Sequence, residues 1–500
     1  MANLECDSME GAPSASRGYL RYFGYLITCT AGFVVAPPAC CEEAPHTTAA
    51  VDVDFGRISG PLDHMAGGFL HPISPTKPTD QILAQMKIKA IRAAPFYISN
   101  GQVCFTGNPS YFQPRNKAVT CSTARQSGSW DRFTALKPAP VMISNIAFFP
   151  NKVPGRKTYW PGDDGNVTWG NIVDQVVRTS QAWGYHGAYS AWNEPDYHFP
   201  AHGGWANYKR AYATAFKRIR AICKDCQVVG PEISTYKFDL LKDYLLFARR
   251  NRVFPDVLDW HELTNTPSEI KAHVAEIKAW MARQGMPHIP VYITEYGTRP
   301  SFGHPGDAAS FISYLESSGA DLAIRANWIP PGQNMSGNLP GAVSSDGTRL
   351  TAVGQVYRNY SEMSGSKVAA TTSAPKDAHL MTALASRDDS RKMAWVLIGR
   401  RESPDAMTDF AVSLTGIPDT LVGNGFVHAE VVVVADPAAS ISPPGRFGPA
   451  DPELRTNTEI TVKGGHASLK VSVGPWESAF LRLTRPSSMG VSGSQPLSPF

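Results

Sequence analysis

Between about residues 65 and 362, short apolar β-prone runs alternate with stretches whose apolar positions recur at helical spacing. The β-prone runs cover 67–70, 91–96, 141–144, 187–191, 228–230, 257–261, 289–292 and 322–328. Helical spacing occupies most of the intervals, at 79–89, 168–183, 205–222, 238–249, 270–283, 308–317 and 353–363. In the second of these, Ile172, Val173, Val176 and Val177 fall on one face, as a helix packed against a sheet requires. Strands separated by covering helices imply a parallel sheet, and a count of eight is the number of a (β/α)8 TIM barrel. A doubly wound sheet fits less well, because no glycine fingerprint follows the first strand.

The period changes beyond residue 365. Runs at 394–398, 410–414, 429–434, 460–462, 469–471 and 479–483 are short, and Gly, Pro, Asn and Asp punctuate them with almost no helix between. That pattern predicts a β-sandwich. The domains expected are a barrel over 50–364, a β-sandwich over 365–485 and a Ser/Gly/Pro-rich disordered tail over 486–500. A long Gly/Ser-rich loop is expected over roughly 99–137.

The first 45 residues change the picture. Arg17 and Arg21 precede an apolar stretch from Tyr22 to Ala36, which is short for a membrane span and suits an export signal or an N-terminal anchor. The protein is therefore expected to be secreted or periplasmic, with association with the cell envelope as one outcome. Outside this region four cysteines remain, and local pairing of Cys104 with Cys121 and of Cys223 with Cys226 costs least chain entropy. Cys223-Lys224-Asp225-Cys226 has redox spacing but lies between a helix end and a strand, where a structural role is expected. A net charge of +4 over 500 residues, with no basic run among aromatics, argues against nucleic acid.

Two of the predicted strands lead into a glutamate. Glu194 stands in Trp192-Asn193-Glu194-Pro195, and Glu295 in Ile293-Thr294-Glu295-Tyr296-Gly297. Barrel chemistry resides at the C-terminal strand ends. Two carboxylates there suit cleavage of a glycosidic bond, which needs a protonated acid for the departing oxygen and an anion facing the anomeric carbon. Aromatics at 10% of the chain suit contact with sugar C–H faces as well as a large core. No P-loop, zinc-protease, nucleophilic-serine or EF-hand signature competes, and no cofactor or metal is expected.

These two strings resemble the clan of retaining glycosidases built on (β/α)8 barrels, whose acid/base ends strand four and whose nucleophile ends strand seven. Counted from Gly68, Glu194 falls on the fourth strand and Glu295 on the seventh. The run from Trp192 through Gly230-Pro231 to His261 looks most like glycoside hydrolase family 39, which includes β-xylosidases, α-L-iduronidases and bacterial exopolysaccharide hydrolases. The resemblance implies Glu194 as acid/base and Glu295 as nucleophile. It implies that Asn193 bonds the sugar 2-hydroxyl, that Arg92 orients the nucleophile and that His261 lines the site. Trp328, read as the end of the eighth strand, is a candidate sugar platform, and His71, just after the first, a candidate substrate contact.

Two departures bear on specificity. Leu263 stands where many relatives have a tyrosine two residues after the histidine, and Ala93-Ala94-Pro95 follows Arg92 where many have a histidine. The expected substrate is an oligo- or polysaccharide, with an exopolysaccharide favoured. A barrel that binds carbohydrate without turnover, and a transglycosylase with the same site, are the alternatives.

Overall fold

The computed structural model describes residues 49–486, apart from 72, 94–95, 100–101, 106–131, 133–134, 139, 147–159, 329–336, 374–380, 402–407 and 438–446. The N-terminal apolar stretch, the Cys104–Cys121 pairing and nearly all of the C-terminal tail lie outside the described residues.

Eight parallel strands close into a barrel: Gly68–Leu70, Ala90–Ala93, Val141–Asn145, Ala188–Ser190, Gln227–Ile233, Val257–Glu262, Val291–Tyr296 and Leu322–Arg325, here barrel strands one to eight. Ile324 registers with Gly68 to close the ring. A Cβ at Gly68 would sit 2.4 Å from the Ala323 carbonyl oxygen, so the seam needs a glycine for the backbones to meet. Helices Val167–Ala182, Gly204–Ile222, Phe238–Arg250 and Ile270–Arg283 each bury one stripe, as their spacing predicts. At the start of the segment read as a loop, Phe96–Ser99 and Gln102–Phe105 form a hairpin. Cys223 and Cys226 form a disulfide just after helix Gly204–Ile222 and just before strand five.

The second sheet has nine strands in the order 453–461, 426–434, 478–484, 393–400, 381–388, 366–373, 49–61, 408–415 and 467–473. It folds over one core, to which Val53, Leu414, Val431, Val471 and Leu481 all contribute. The domain boundary drawn from sequence needs a correction here. Strand Ala49–Pro61 runs antiparallel to Ser366–Ser373 and parallel to Thr408–Thr415, so it belongs to the sandwich and not to the barrel.

Helix Pro305–Glu316 joins the two layers and is buried on nearly every side, unlike its amphipathic neighbours. A Cβ on Gly306 would lie 2.0 Å from the Arg400 carbonyl oxygen, so the helix rests directly on sandwich backbone. Arg401 reaches from the sandwich to Asp307 at 2.8 Å and to the Asn265 carbonyl at 2.6 Å. The sandwich thereby braces the turns that follow strands six and seven.

Candidate active site

Strand residues alternate between lumen and helix layer, so one parity selects the side chains inside the barrel. The lower lumen layer is apolar and includes Ala90, Ile143, Ala188, Val229, Val257 and Tyr292. Two residues further along the same strands stand Arg92, Asn145, Ser190, Asp259 and Thr294, all buried and all polar. The register slips by one residue at Glu232 on strand five and again just before Glu295 on strand seven. These bulges bring both carboxylates into that upper layer, and bulges re-aim side chains in this way at barrel rims.

Arg92, fully buried at the end of strand two, organises the layer. Its Nε donates to Glu232 Oε1 at 2.8 Å, its Nη2 to Asn193 Oδ1 at 2.6 Å and its Nη1 to Glu295 Oε1. Burial alone would weaken its charge, but Glu232 and Glu295 outweigh burial and hold the guanidinium above its ordinary range. Because a guanidinium only donates, Asn193 must turn its oxygen to Arg92. Glu232 is saturated on its other oxygen as well, accepting from Asn145 Nδ2 at 2.6 Å and from the Ser190 hydroxyl.

Glu194 is held by its backbone. Its φ of +47° is left-handed, and its N–H donates to the Glu232 carbonyl at 3.1 Å. The following short helix Pro195–His198 is pinned from two sides. Asp196 accepts from the Ser234 N–H at 2.8 Å and from Lys237 Nζ at 2.5 Å, and His198 Nδ1 lies 2.9 Å from the Asn193 carbonyl. Burial raises the Glu194 carboxyl above the ordinary range, with Arg92, His198 and Lys237 opposing it only in part. A carboxyl in that state holds its proton at higher pH, which is what a general acid needs.

His261 Nδ1 lies 3.2 Å from Glu194 Oε1, and His261 registers with Glu295 across strands six and seven. The imidazole thus touches Glu194 from the strand that neighbours Glu295. Burial lowers its pKa and keeps it neutral, and its Nε2 is buried with no hydrogen-bond partner among the described residues. His71 is also buried, its N–H donating to the Arg92 carbonyl at 3.0 Å. Burial, then Arg92, pushes His71 down to about 3, so it is neutral at physiological pH. Among the described residues no group of His, Cys, Asp and Glu is arranged to hold a metal ion.

No family model matches the chain. Over 285 residues it is 24% identical to a 3-O-alpha-D-galactosyl-alpha-L-arabinofuranosidase of Bifidobacterium longum subsp. longum, covering 56% of this chain and 23% of that one. Over 229 residues it is 24% identical to a beta-xylosidase of Geobacillus stearothermophilus, covering 38% of this chain and 44% of that one. The chain thus spans less than half the length of these curated relatives. Among solved structures, a monomeric beta-xylosidase of Caulobacter crescentus superposes with a TM-score of 0.61 at 14% identity, over 88% of this chain and 100% of that one. The glycoside hydrolase family 39 enzyme of Xanthomonas axonopodis pv. citri superposes at 0.59 and 15% identity, over 89% and 99%. The fold is that of family 39 glycosidases.

Within the family 39 fold, Arg92, Asn193, Glu194, His261 and Glu295 come together as the sequence suggests, and His71 adjoins them through the Arg92 backbone. Trp328 needs a correction of place. Strand eight stops at Arg325, whose side chain turns away to the Pro340 carbonyl at 3.1 Å. Trp328 therefore sits beyond the strand, half-buried, with its Nε1 donating to the Gly297 carbonyl at 3.3 Å. Glu232 and Asn145 escaped the sequence reading. Pro231 looks like the end of a strand, yet strand five continues to Ile233, and strand three runs one residue further than its apolar run.

Proposed function

We propose that this protein is a retaining glycoside hydrolase acting on the O-glycosidic bonds of an oligo- or polysaccharide. The observation that carries the reading is the pair of glutamates at the ends of strands four and seven. Burial raises the pKa of one carboxyl above the ordinary range, and the other is bound to Arg92.

In the first step Glu295 attacks the anomeric carbon while Glu194 gives its proton to the departing oxygen, forming a glycosyl ester on Glu295. Glu194, now an anion beside neutral His261, takes a proton from water, and the hydroxide formed opens the ester. Arg92 holds Glu295 in place through Oε1. Asn193, its oxygen committed to Arg92, offers its amide N–H groups to the sugar 2-hydroxyl. Trp328 borders the turn after Glu295 as a sugar platform, and His71 lines the pocket beside Arg92.

Relatives named for arabinofuranosidase and xylosidase activity favour a pentoside-containing substrate, and an exopolysaccharide is the polymer we favour. We assign the protein to the periplasm or the exterior, on the apolar stretch after Arg21 and on the Cys223–Cys226 disulfide, which suits an oxidising compartment.

Reducing-end release from pentosides and bacterial exopolysaccharides, followed with the native chain beside Glu295→Ala, tests the activity. Release by the native chain alone supports the reading, and equal release by both overturns the nucleophile. Proton NMR of the first product gives the anomeric configuration, and inversion overturns the retaining step.

A further inference from the structure

We propose that Glu232 is a positioning residue that, together with Asn193, engages Nε and Nη2 of Arg92 and so leaves one oxygen of Glu295 free to attack. The inference rests on the glycosidase reading and extends it to a residue that touches no substrate.

An arginine left alone with a carboxylate prefers a two-pronged contact, with both carboxylate oxygens engaged. Such a contact here would occupy the lone pairs that must reach the anomeric carbon. Arg92 does not make it. Its Nε is taken by Glu232 at 2.8 Å and its Nη2 by Asn193 at 2.6 Å, which leaves Nη1 to meet Glu295 through Oε1 alone. Glu232 cannot swing away from this duty. Its second oxygen accepts from Asn145 and Ser190, its N–H donates to Asp259 Oδ1 at 2.9 Å, and its carbonyl accepts the Glu194 N–H. Strands two to six are therefore tied to one residue, through its side chain and its backbone.

The cost of this arrangement points the same way. Glu232 is fully buried and holds a φ of +60°, a conformation that a non-glycine residue adopts at a cost in strain. Buried ion pairs rarely add stability over apolar packing. A burden of both kinds suits a residue that serves the geometry of the site more than the stability of the barrel.

Glu232 also divides the charge of Arg92. With Glu232 neutral, the full positive field of Arg92 would fall on Glu295. The other titratable groups facing this pair are His71 on the side of strand one, Glu194 and Asp196 after strand four, Asp259 and His261 on strand six, and Tyr208 from helix Gly204–Ile222. A substitution at position 232 adds or removes no charge but that of Glu232, and Asp259, His261 and Tyr208 feel its loss directly.

The test is Glu232→Gln, which keeps the shape and an acceptor for Nε while removing the charge. Circular dichroism and thermal melting check the fold. Three quantities are compared with the native chain: kcat and KM on an activated aryl glycoside, the pH profile of kcat/KM, and the rate of covalent trapping by a 2-deoxy-2-fluoro glycoside. The proposal expects kcat and the trapping rate to fall about 10- to 100-fold with KM nearly unchanged, and the acid limb of the profile to move to lower pH. Native rates and a native acid limb would overturn it. A slower variant whose acid limb stays in place would also overturn it, since that is what mere loosening of the site produces. Glu232→Ala is expected to lose more, and if it fails to fold the glutamine variant still decides. Mass spectrometry of the trapped native chain separates the two layers of inference. A label on Glu295 supports the underlying reading, whereas a label on Glu232 overturns both.

Discussion

Two layers of the same barrel lumen, one step of two residues apart on shared strands, have opposite character. Ala90, Ile143, Ala188 and Val257 fill the lower layer, and Arg92, Asn145, Ser190 and Asp259 fill the upper. The separation is about 6.6 Å of strand rise. Below, contact is apolar and the packing itself supplies stability. Above, charges are removed from water and tolerated because each meets a partner. The difference teaches that the barrel stores its stability and its chemistry on the same strands, sorted by height.

The largest expected effect is on rate. Glu295→Ala should lower kcat by at least about 10⁴-fold while changing the melting temperature little, and an active variant would break the assignment of chemistry to the upper layer. Arg92→Met should affect both quantities. It leaves Glu232 and Glu295 without their cation, at a cost of about 3–5 kcal/mol by denaturant titration, and turnover should fall in step. A stable, active variant would show that the upper layer does not depend on its arginine.

Ile143→Ala in the lower layer should cost about 2–4 kcal/mol, with activity per folded molecule within about threefold of native by active-site titration. A large loss of activity without loss of stability would end the separation by height. Glu194→Gln has the smallest expected effect on stability. Burial raises the carboxyl's pKa in the folded state, so its favourable contribution is full below the ordinary carboxylate range and is lost as pH rises through the folded value. The glutamine variant should therefore melt about 1–3 °C higher at pH 7. That advantage should vanish near pH 4, as read by calorimetry at both pH values.

The residues most legible in the sequence are those that stand where a strand meets its loop. Glu194 and Glu295 follow apolar runs within short aromatic strings, and Arg92 follows the alternation of its own strand, so parity and position suffice to find them. Glu232 is illegible for a physical reason. Its entry into the lumen depends on a bulge, and a bulge breaks the parity from which a strand's faces are read. Asn145 is missed because a polar residue closing an apolar run looks like the start of a loop. Trp328 is read too close, because Ala326 and Trp328 prolong the apolar pattern past the true strand end at Arg325. The alternation of Val51, Val53 and Phe55 with Asp52 and Asp54 is plain in the sequence, yet its partners lie hundreds of residues away, and no local pattern names them.

That distant pairing has a consequence in time. Strand Ala49–Pro61 is synthesised first, and its antiparallel partner Ser366–Ser373 follows roughly 300 residues later. At ribosomal speeds this is a wait of about 15–60 s. Throughout it the edge of a strand destined for the middle of a sheet remains open to the wrong neighbour. The barrel is made during that interval, so in order of birth it is a domain inserted into an unfinished one. A chain begun after Pro61 would keep all eight barrel strands and still lack a strand at the heart of its second sheet.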